Sequence, residues 1–521
     1  MFLAQAPAAP IEVPSVDYAA VLPMLIVFGV ACIGVLVEAF APKATRWGIQ
    51  VTISLVAIIA AGVSLILYAT GSTSTKAGTT TFSGSISVDR PSLFLWGTLL
   101  LLGLGAVFLI ADRKVEPGGA FVAQAAIRPG TVQDRAQAAT TSQTEVFPLT
   151  LFALGGMMTF CAANDLLTMF IALEVLSLPL YLMCGLARRR RLISQEAAVK
   201  YFLLGAFSSA FFLYGLALLY GYADSVKLAD IAHAAAGSDR SDTLLFAGLG
   251  LLVVGLLFKG SVGPFHTWTP DVYQGAPTPV TGFMAACTKV AAFGAILRVL
   301  SVGFSSTSWE WRGVMWAVAI ISMALGAILG LTQTDVKRMI AYSSVAHAGF
   351  LLVGAIAMTE DGLSSTLFYL LAYGFTTLAA FGVVSLVRDS SGEATHLSAW
   401  AGLAKRSPVL AGVFTFLLLA LAGIPLTSGF VGKFVVFSAA LSDGMAPLVV
   451  VALVFSAVAA FFYLRVIVLM YFSEPAADGP TVTVPGGFTT AAIALGVVVT
   501  LVLGVLPAFA LDWAGAGGFA S

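Results

Sequence analysis

Charge is scarce in this sequence: only 10% of its 521 residues are Asp, Glu, Lys or Arg, against about 25% in an ordinary soluble domain. The 26 basic and 26 acidic residues cancel, so no net field steers the chain toward nucleic acid or any other strongly charged partner. Cysteine and histidine are scarcer still, at four each. Cys32, Cys161, Cys184 and Cys287 lie far apart in apolar runs with no CxxC pair, which argues against an iron–sulfur cluster or a thiolate zinc site. His233, His266, His347 and His396 form no HExxH and no obvious haem pair. There is no Walker A loop and no GxGxxG between a strand and a helix. Redox or ATP chemistry, if it drives the protein, is expected on another chain. Residues 1–18 hold three prolines, two acids and no Lys or Arg, the reverse of the basic start of a signal peptide.

Hydrophobic residues are abundant, at 59%, and mean hydropathy is +0.97. A helical membrane span takes roughly 20 apolar residues, so the chain reads as an all-α polytopic membrane protein. Runs between charged or Gly/Pro-rich loops predict about fourteen spans: 19–40, 49–70, 91–111, 146–163, 165–187, 197–222, 243–275, 278–300, 313–332, 338–357, 364–387, 409–441, 446–472 and 488–510. None alternates like a barrel strand.

Spans 7 and 12 are too long and are interrupted. The seventh carries Gly263-Pro264 and Pro270, and the twelfth carries Gly423-Ile424-Pro425 and Gly429. Proline removes a helix hydrogen bond and clashes with the preceding turn, so both are expected to be discontinuous. Breaks at corresponding places in two halves point to an ion path. These breaks lie five spans apart, and an odd offset puts the two units in opposite orientations. The expected organisation is therefore three N-terminal helices with a polar insertion (1–145, insertion 112–145), a first five-helix repeat (146–300), an inverted second repeat (313–472) and a last helix (488–510). The insertion is expected to be a mobile loop, and no role is assigned to it.

Basic residues gather in the loops after odd-numbered spans, among them Lys43, Arg46, Arg113, Lys114, Arg188–Arg191, Lys337, Arg338, Arg388, Lys405 and Arg406. The positive-inside rule then makes those loops cytoplasmic and places both termini outside.

A charge in the bilayer interior costs about 2.5–3.5 kcal/mol on insertion scales and is by default a functional hypothesis. Glu174 lies nine residues after Asp165, roughly 13 Å along the helix. Lys289 lies eleven residues into span 8, roughly 16 Å deep. Lys259 precedes the first break, Lys433 follows the second, and His347 sits one turn from Ser343. The deep cations are lysines, which can lose a proton on burial, whereas arginine stays charged. A Glu174–Lys259 pair that opens and closes would be a natural proton switch, with a static packing pair as the bland alternative. His266 reads either as a cap of the broken helix or as part of the relay. Lys200 reads as an i,i+4 partner of Glu196. Glu38, Arg298 and Arg465 lie nearer span ends, where long side chains snorkel. Lys337-Arg338, at the start of span 10, is explained by positive-inside anchoring, and Arg188–Arg191 reads as a solvated cytoplasmic anchor.

Several segments resemble a known family. Glu174-Val175-Leu176-Ser177-Leu178-Pro179-Leu180-Tyr181, the run EAAVKYFLLGAFSSAFFLYGLALLYG from Glu196 to Gly221, and FKGSVGPFHTWTPDVYQGAPTPVT from Phe258 to Thr281 are similar to the subunit N family of the proton-pumping NADH-quinone oxidoreductase, respiratory complex I. So are KVAAFG from Lys289, AYSSVAHAG from Ala341 and GIPLTSGFVGKF from Gly423. The resemblance spans about 145–470. It implies a proton-translocating module of a membrane arm, partnered by the other membrane-arm subunits and lipids. NAD, FMN, iron–sulfur clusters and quinone would sit on other subunits, with no cofactor and no metal on this chain. It further implies that Glu174 and Lys259 form a switch, Lys289 a central relay and Lys433 the outward end, with His347, Lys200 and His266 assisting. The expected setting is a bacterial plasma membrane. The rival readings are a subunit of a cation/proton antiporter and a purely structural membrane subunit.

Overall fold

The computed structural model describes residues 16–71, 78–116, 118–122, 131–133, 143–237, 241–389, 392–475 and 479–520. Long apolar helices follow the hydrophobic runs: α1 (Tyr18–Phe40), α2 (Lys43–Thr70), α3 (Arg90–Ala111), α4 (Val146–Ala162), α5 (Leu166–Cys184) and α6 (Arg191–Ala223). A short helix, α7 (Leu228–Gly237), precedes the first broken span, which consists of α8 (Thr243–Lys259) and α9 (Trp268–Gly275). Then come α10 (Thr278–Gly303, with two π turns), α11 (Ser308–Thr332), α12 (Val336–Ile356) and α13 (Glu360–Val384). The second broken span is α14 (Pro408–Ala422) with α15 (Ser428–Ser442), followed by α16 (Ala446–Phe472) and α17 (Gly487–Val505). Among the described residues these helices make fourteen spans, with breaks where Gly263-Pro264 and Gly423–Pro425 stand.

The helices differ sharply in how much lipid they meet. The apolar stretches of α10 and α13 are wholly enclosed by other helices and that of α12 nearly so, whereas α6, α16 and α17 keep two thirds of theirs outward. Lipid offers no hydrogen bonds, so enclosed helices are the ones able to carry polar side chains through the bilayer. Close packing rests on small residues: a Cβ at Gly326 of α11 would overlap the backbone of Ala346 on α12, and one at Gly215 of α6 the backbone of α8.

Both ends of the described chain meet one face. The Asp17 amide donates to Thr81 Oγ1 (2.9 Å) in a hairpin of β1 (Thr79–Thr81) and β2 (Ile86–Val88). The Ala520 amide reaches Asp89 Oδ2 (3.0 Å) just beyond that hairpin. The opposite face carries a small sheet of β3 (Val387–Asp389), β4 (Gly392–Glu393) and β5 (Thr481–Val482).

One local arrangement occurs twice. Asp165 caps α5 through the Thr168 amide (2.7 Å), while Leu166 N–H bonds Val226 O (2.9 Å) and Leu228 N–H bonds Asn164 O (3.2 Å). Asp335 caps α12 through the Arg338 amide (3.1 Å), while Val336 N–H bonds Thr395 O and Leu397 N–H bonds Thr334 O, both at 2.7 Å.

Four expectations need correcting. Arg298 does not snorkel: it and Asp89 are fully buried and paired at 2.9 Å, with further bonds to Ser92 Oγ (2.7 Å) and Cys161 O (2.9 Å). The enclosure of α10 leaves this arginine no path to water. Lys337 is more than a positive-inside anchor; its buried Nζ donates to Ala276 O (2.8 Å) and Thr278 Oγ1 (3.0 Å) and lies 3.4 Å from Glu393. Arg188 and Arg191 are buried, and Arg188 donates to the carbonyls of Gly118, Gly119 and Phe121 (2.7–3.0 Å). The same bonds correct the reading of the insertion, because residues 118–122 are docked on the α5–α6 turn. Residues 123–130 and 134–142 of it, and the N-terminal residues 1–15, lie outside the described residues.

Candidate functional site

Breaking a helix in the bilayer frees carbonyls at the C-terminal end of its first half, where the helix dipole is also negative. Both breaks hold lysine ammonium groups there. Lys433 Nζ donates to Leu421 O (3.2 Å) and Ala422 O (2.9 Å), the last carbonyls of α14, and to Ser456 Oγ (3.0 Å) on α16. Gly423 makes this possible. It ends α14 at φ +87°, and a Cβ there would come within 3.0 Å of the Lys433 side chain. Lys289 Nζ donates to Gly260 O (3.2 Å) at the end of α8 and to Ser344 O (2.8 Å) on α12. It also lies 5.6 Å from the centre of the Tyr373 ring.

Lys259 is the last residue of α8, and its neighbour Gly260 supplies the carbonyl that Lys289 uses. Its own Nζ donates to Ser177 Oγ (2.7 Å) and Tyr201 OH (3.0 Å) and faces the Tyr181 and Tyr201 rings. Tyr201 is fixed by stacking on Trp268 at 4.5 Å, and Trp268 Nε1 donates to Phe258 O (2.9 Å). Glu174 does not contact Lys259 directly: its carboxylate accepts from Ser209 Oγ (2.5 Å). Among the described residues no ion pair joins the two within 4.0 Å. Ser177, one turn beyond Glu174 on α5, stands where the acid was expected.

His347 continues the line toward Lys433. Its Nδ1 is 2.6 Å from Tyr369 OH and its Nε2 is 3.2 Å from Tyr463 OH, which also bonds Ser343. Its ring lies 5.0 Å from Tyr373 on one side and 5.7 Å from Phe350 on the other. Lys433 Nζ faces that same Phe350 ring at 5.0 Å. Around Lys289 the hydroxyls of Ser344, Tyr373 and Thr377 approach one another, but among the described residues neither they nor Thr288 Oγ1 has a partner in good hydrogen-bond geometry.

Lys259, Lys289, His347 and Lys433 thus form one buried polar line that runs from the end of α8 through the enclosed α10 and α12 to α15, with Glu174 beside its first member. Lys200 and His266 stand off it. Lys200 is partly exposed and binds Glu196 and Asp271, both at 2.7 Å, and Asp271 also binds Arg338 (2.5 Å). His266 is buried in the first break, 6.0 Å from the Tyr342 ring, with Nδ1 unpaired among the described residues.

Sequence reasoning passed over the neutral partners: Ser177, Tyr201, Tyr369, Tyr373, Ser456 and Tyr463. Hydroxyls in an apolar run are common, and only helical spacing from a charged residue singles them out, as with Ser177 after Glu174. On the β3–β5 face, Glu116 was also missed. It pairs with Arg388 (3.0 Å) and Arg189 (3.4 Å). Burial pushes its carboxyl above the ordinary range, against the opposing pull of Arg388.

A bundle of fourteen spans, broken twice and threaded by buried lysines, defines an ion-translocating membrane subunit. The family described as NADH:quinone oxidoreductase/Mrp antiporter, TM matches residues 163–473. NADH-quinone oxidoreductase subunit N of Saccharopolyspora erythraea is 76% identical over 98% of this chain and 99% of its own length. Its counterpart in Acidothermus cellulolyticus is 59% identical over 97% and 96%. Among solved structures, a chain of respiratory complex I from Thermus thermophilus with bound aureothin superimposes with TM-score 0.76 at 33% identity, covering 95% of this chain and 100% of that one. A chain of the Mrp complex from Dietzia shares the fold at TM-score 0.78 and 23% identity, covering 96% and 97%. The chain belongs to the NADH:quinone oxidoreductase/Mrp antiporter membrane family, in its NADH-quinone oxidoreductase subunit N branch.

Proposed function

We propose that this subunit moves protons along the line Lys259–Lys289–His347–Lys433, with Glu174 biasing its first lysine through Ser177 and the surrounding hydroxyls. The observation that carries the reading is the manner in which the lysines are held: by hydroxyls, carbonyls and aromatic faces, with no carboxylate within 4.0 Å of Lys259, Lys289 or Lys433 among the described residues. A lysine held this way can give up its proton without leaving a buried anion behind. Unpaired hydroxyls beside Lys289 favour ordered water between the lysine and His347, since buried polar groups are normally satisfied.

In this reading the twice-occurring Asp-capped arrangement supports two inverted units, 146–300 and 313–472. The basic loops of the β3–β5 face look into the cytoplasm of a bacterial cell, and both termini look outward. NADH oxidation, flavin, iron–sulfur and quinone chemistry belong to other subunits and bias the lysines through charge movements in neighbouring membrane-arm chains.

The test is Lys259→Met, with NADH-driven proton uptake measured in inverted membrane vesicles and normalised to assembled complex. Lost uptake at normal assembly is the expected result. Full uptake per assembled complex removes Lys259 from the path and leaves it a packing residue.

A further inference from the structure

Two carboxylates stand together on the β3–β5 face, outside the proton line. Glu116, just beyond α3, and Glu393, on β4, line the same two small cavities with Ala120 and Arg388. The cavities measure about 20 and 30 Å³. A water needs roughly 10–15 Å³ of such space, so each has room for one or two. Glu116 is buried, and its Oε2 pairs with Arg388 (3.0 Å). Its Oε1, 3.4 Å from Arg189, makes no hydrogen bond among the described residues. Buried oxygens of this kind are normally satisfied by water. Glu393 Oε2 lies 3.4 Å from the Lys337 ammonium, which also lines the larger cavity.

The other charges around this pair are engaged elsewhere. Asp112 caps α17 through the Thr489 amide (3.0 Å), and Arg190 donates to Thr395 Oγ1 (3.0 Å). Arg188 holds the carbonyls of Gly118, Gly119 and Phe121. Those bonds lay residues 118–122 over the cavities as a cover, with half-buried Ala120 lining both. Burial raises the Glu116 carboxyl while Arg388 opposes it, the kind of balance that lets a group take up and release a proton.

Inward of Lys337 the polar groups continue. Its Nζ donates to Thr278 Oγ1 (3.0 Å) at the start of α10. One turn on, Thr281 Oγ1 donates to Tyr273 O (3.2 Å), and the Tyr273 hydroxyl approaches those of Ser261 and Ser344. Ser344 O is the carbonyl that accepts from Lys289 (2.8 Å).

We propose that Glu116 and Glu393 are the cytoplasmic loading site of the proton line, covered by residues 118–122 and feeding Lys289 by way of Lys337, Thr278 and Tyr273. This rests on the line proposed above. A proton taken from solvent at Glu116 Oε1 crosses cavity water to Glu393. Lys337 gives its own proton inward and is refilled from Glu393, which leaves both carboxylates anionic and ready to reload. A cluster that only tied the insertion down would need neither water-sized space nor an acid oxygen without a hydrogen bond.

The test uses assembled complex in inverted membrane vesicles, where this face meets the buffer, with NADH-driven proton uptake normalised to assembled complex. Glu116→Gln is expected to lower uptake at least about tenfold, as for loss of one positioned proton-transfer group. Glu116→Asp is expected to restore most of it. Uptake by Ala120→Cys is expected to fall when a bulky methanethiosulfonate reagent fills the cavities and to return with dithiothreitol. The wild-type complex treated alike is the control. Full uptake in Glu116→Gln overturns the proposal, as does equal loss in the Gln and Asp variants, which marks a structural ion pair. Undiminished uptake after modification of Ala120→Cys also overturns it, and this arm acts on complex that has already assembled. Lys259→Met separates the two readings. Intact uptake there removes the proton line, whereas uptake lost there but intact in Glu116→Gln removes only the loading site.

Discussion

A lysine ammonium in the bilayer interior normally needs a carboxylate, yet Lys433 is held by two helix-terminal carbonyls and a serine hydroxyl. Such partners stabilise the charge only modestly and survive its loss, which suits a site that must alternate between two protonation states. Arginine there would keep the charge and lose the alternation. Lys433→Arg and Lys433→Met are therefore both expected to abolish proton uptake by inverted vesicles, while a charge needed only for packing would be rescued by arginine. The Asp89–Arg298 pair is the opposite kind of residue. Both groups are fully buried, Arg298 Nη2 reaches both Asp89 carboxylate oxygens at 2.9 Å, and each group is bound to further partners. Asp89→Asn leaves a buried guanidinium without its anion, a loss of about 3–5 kcal/mol. It is expected to appear as a lowered Tm and less assembled complex, and Asp89→Leu with Arg298→Met is expected to recover most of it.

At the scale of elements, the start of the polar insertion is expected to dock in a pH-dependent way. Residues 118–122 dock on the α5–α6 turn through Arg188 N–H to Ala120 O (2.9 Å) and Val122 N–H to Leu186 O (2.8 Å). Glu116, at the root of that segment, faces Arg388, Arg189 and Glu393, and its carboxyl is held above the ordinary glutamate range, chiefly by burial. A raised carboxyl binds its proton more tightly when docked than when open. Docking is thus strongest below the ordinary glutamate range, weakens as pH climbs through the raised value, and levels off above it. Hydrogen exchange at the Arg188 and Val122 amides, corrected for intrinsic rates, is expected to accelerate over that interval and to lose the dependence in Glu116→Gln. The elements themselves were largely legible in the sequence. Spans follow hydrophobic runs, and the breaks follow Gly263-Pro264 and Gly423–Pro425, because lipid leaves a helix little alternative and proline imposes its own. Span ends were less legible. Arg298 and Lys337 each sit near a helix terminus, where the one-dimensional reading is snorkelling, but α10 and α12 are enclosed and their ends lie beneath neighbouring loops. Enclosure is a property of the packed bundle that no single run reveals.

For the molecule as a whole, the polar line takes its members from α8, α10, α12 and α15, and three of the deep positions, Lys259, Lys289 and Lys433, were visible as charges out of place. The hydroxyls that line it were not, since Tyr201 beside Lys259 and Tyr369 and Tyr463 beside His347 come from other helices and acquire meaning only when those helices meet. The pair at Asp89 carries a consequence for biogenesis. Its arginine lies 209 residues downstream, and the amide of Ala520 that completes its surroundings lies 431 downstream. At ribosomal speeds the carboxylate waits roughly 10–40 s for its counter-ion. A chain interrupted before Arg298 therefore holds Asp89 without its counter-ion, and the surroundings of the first spans are completed only from the far end of the sequence.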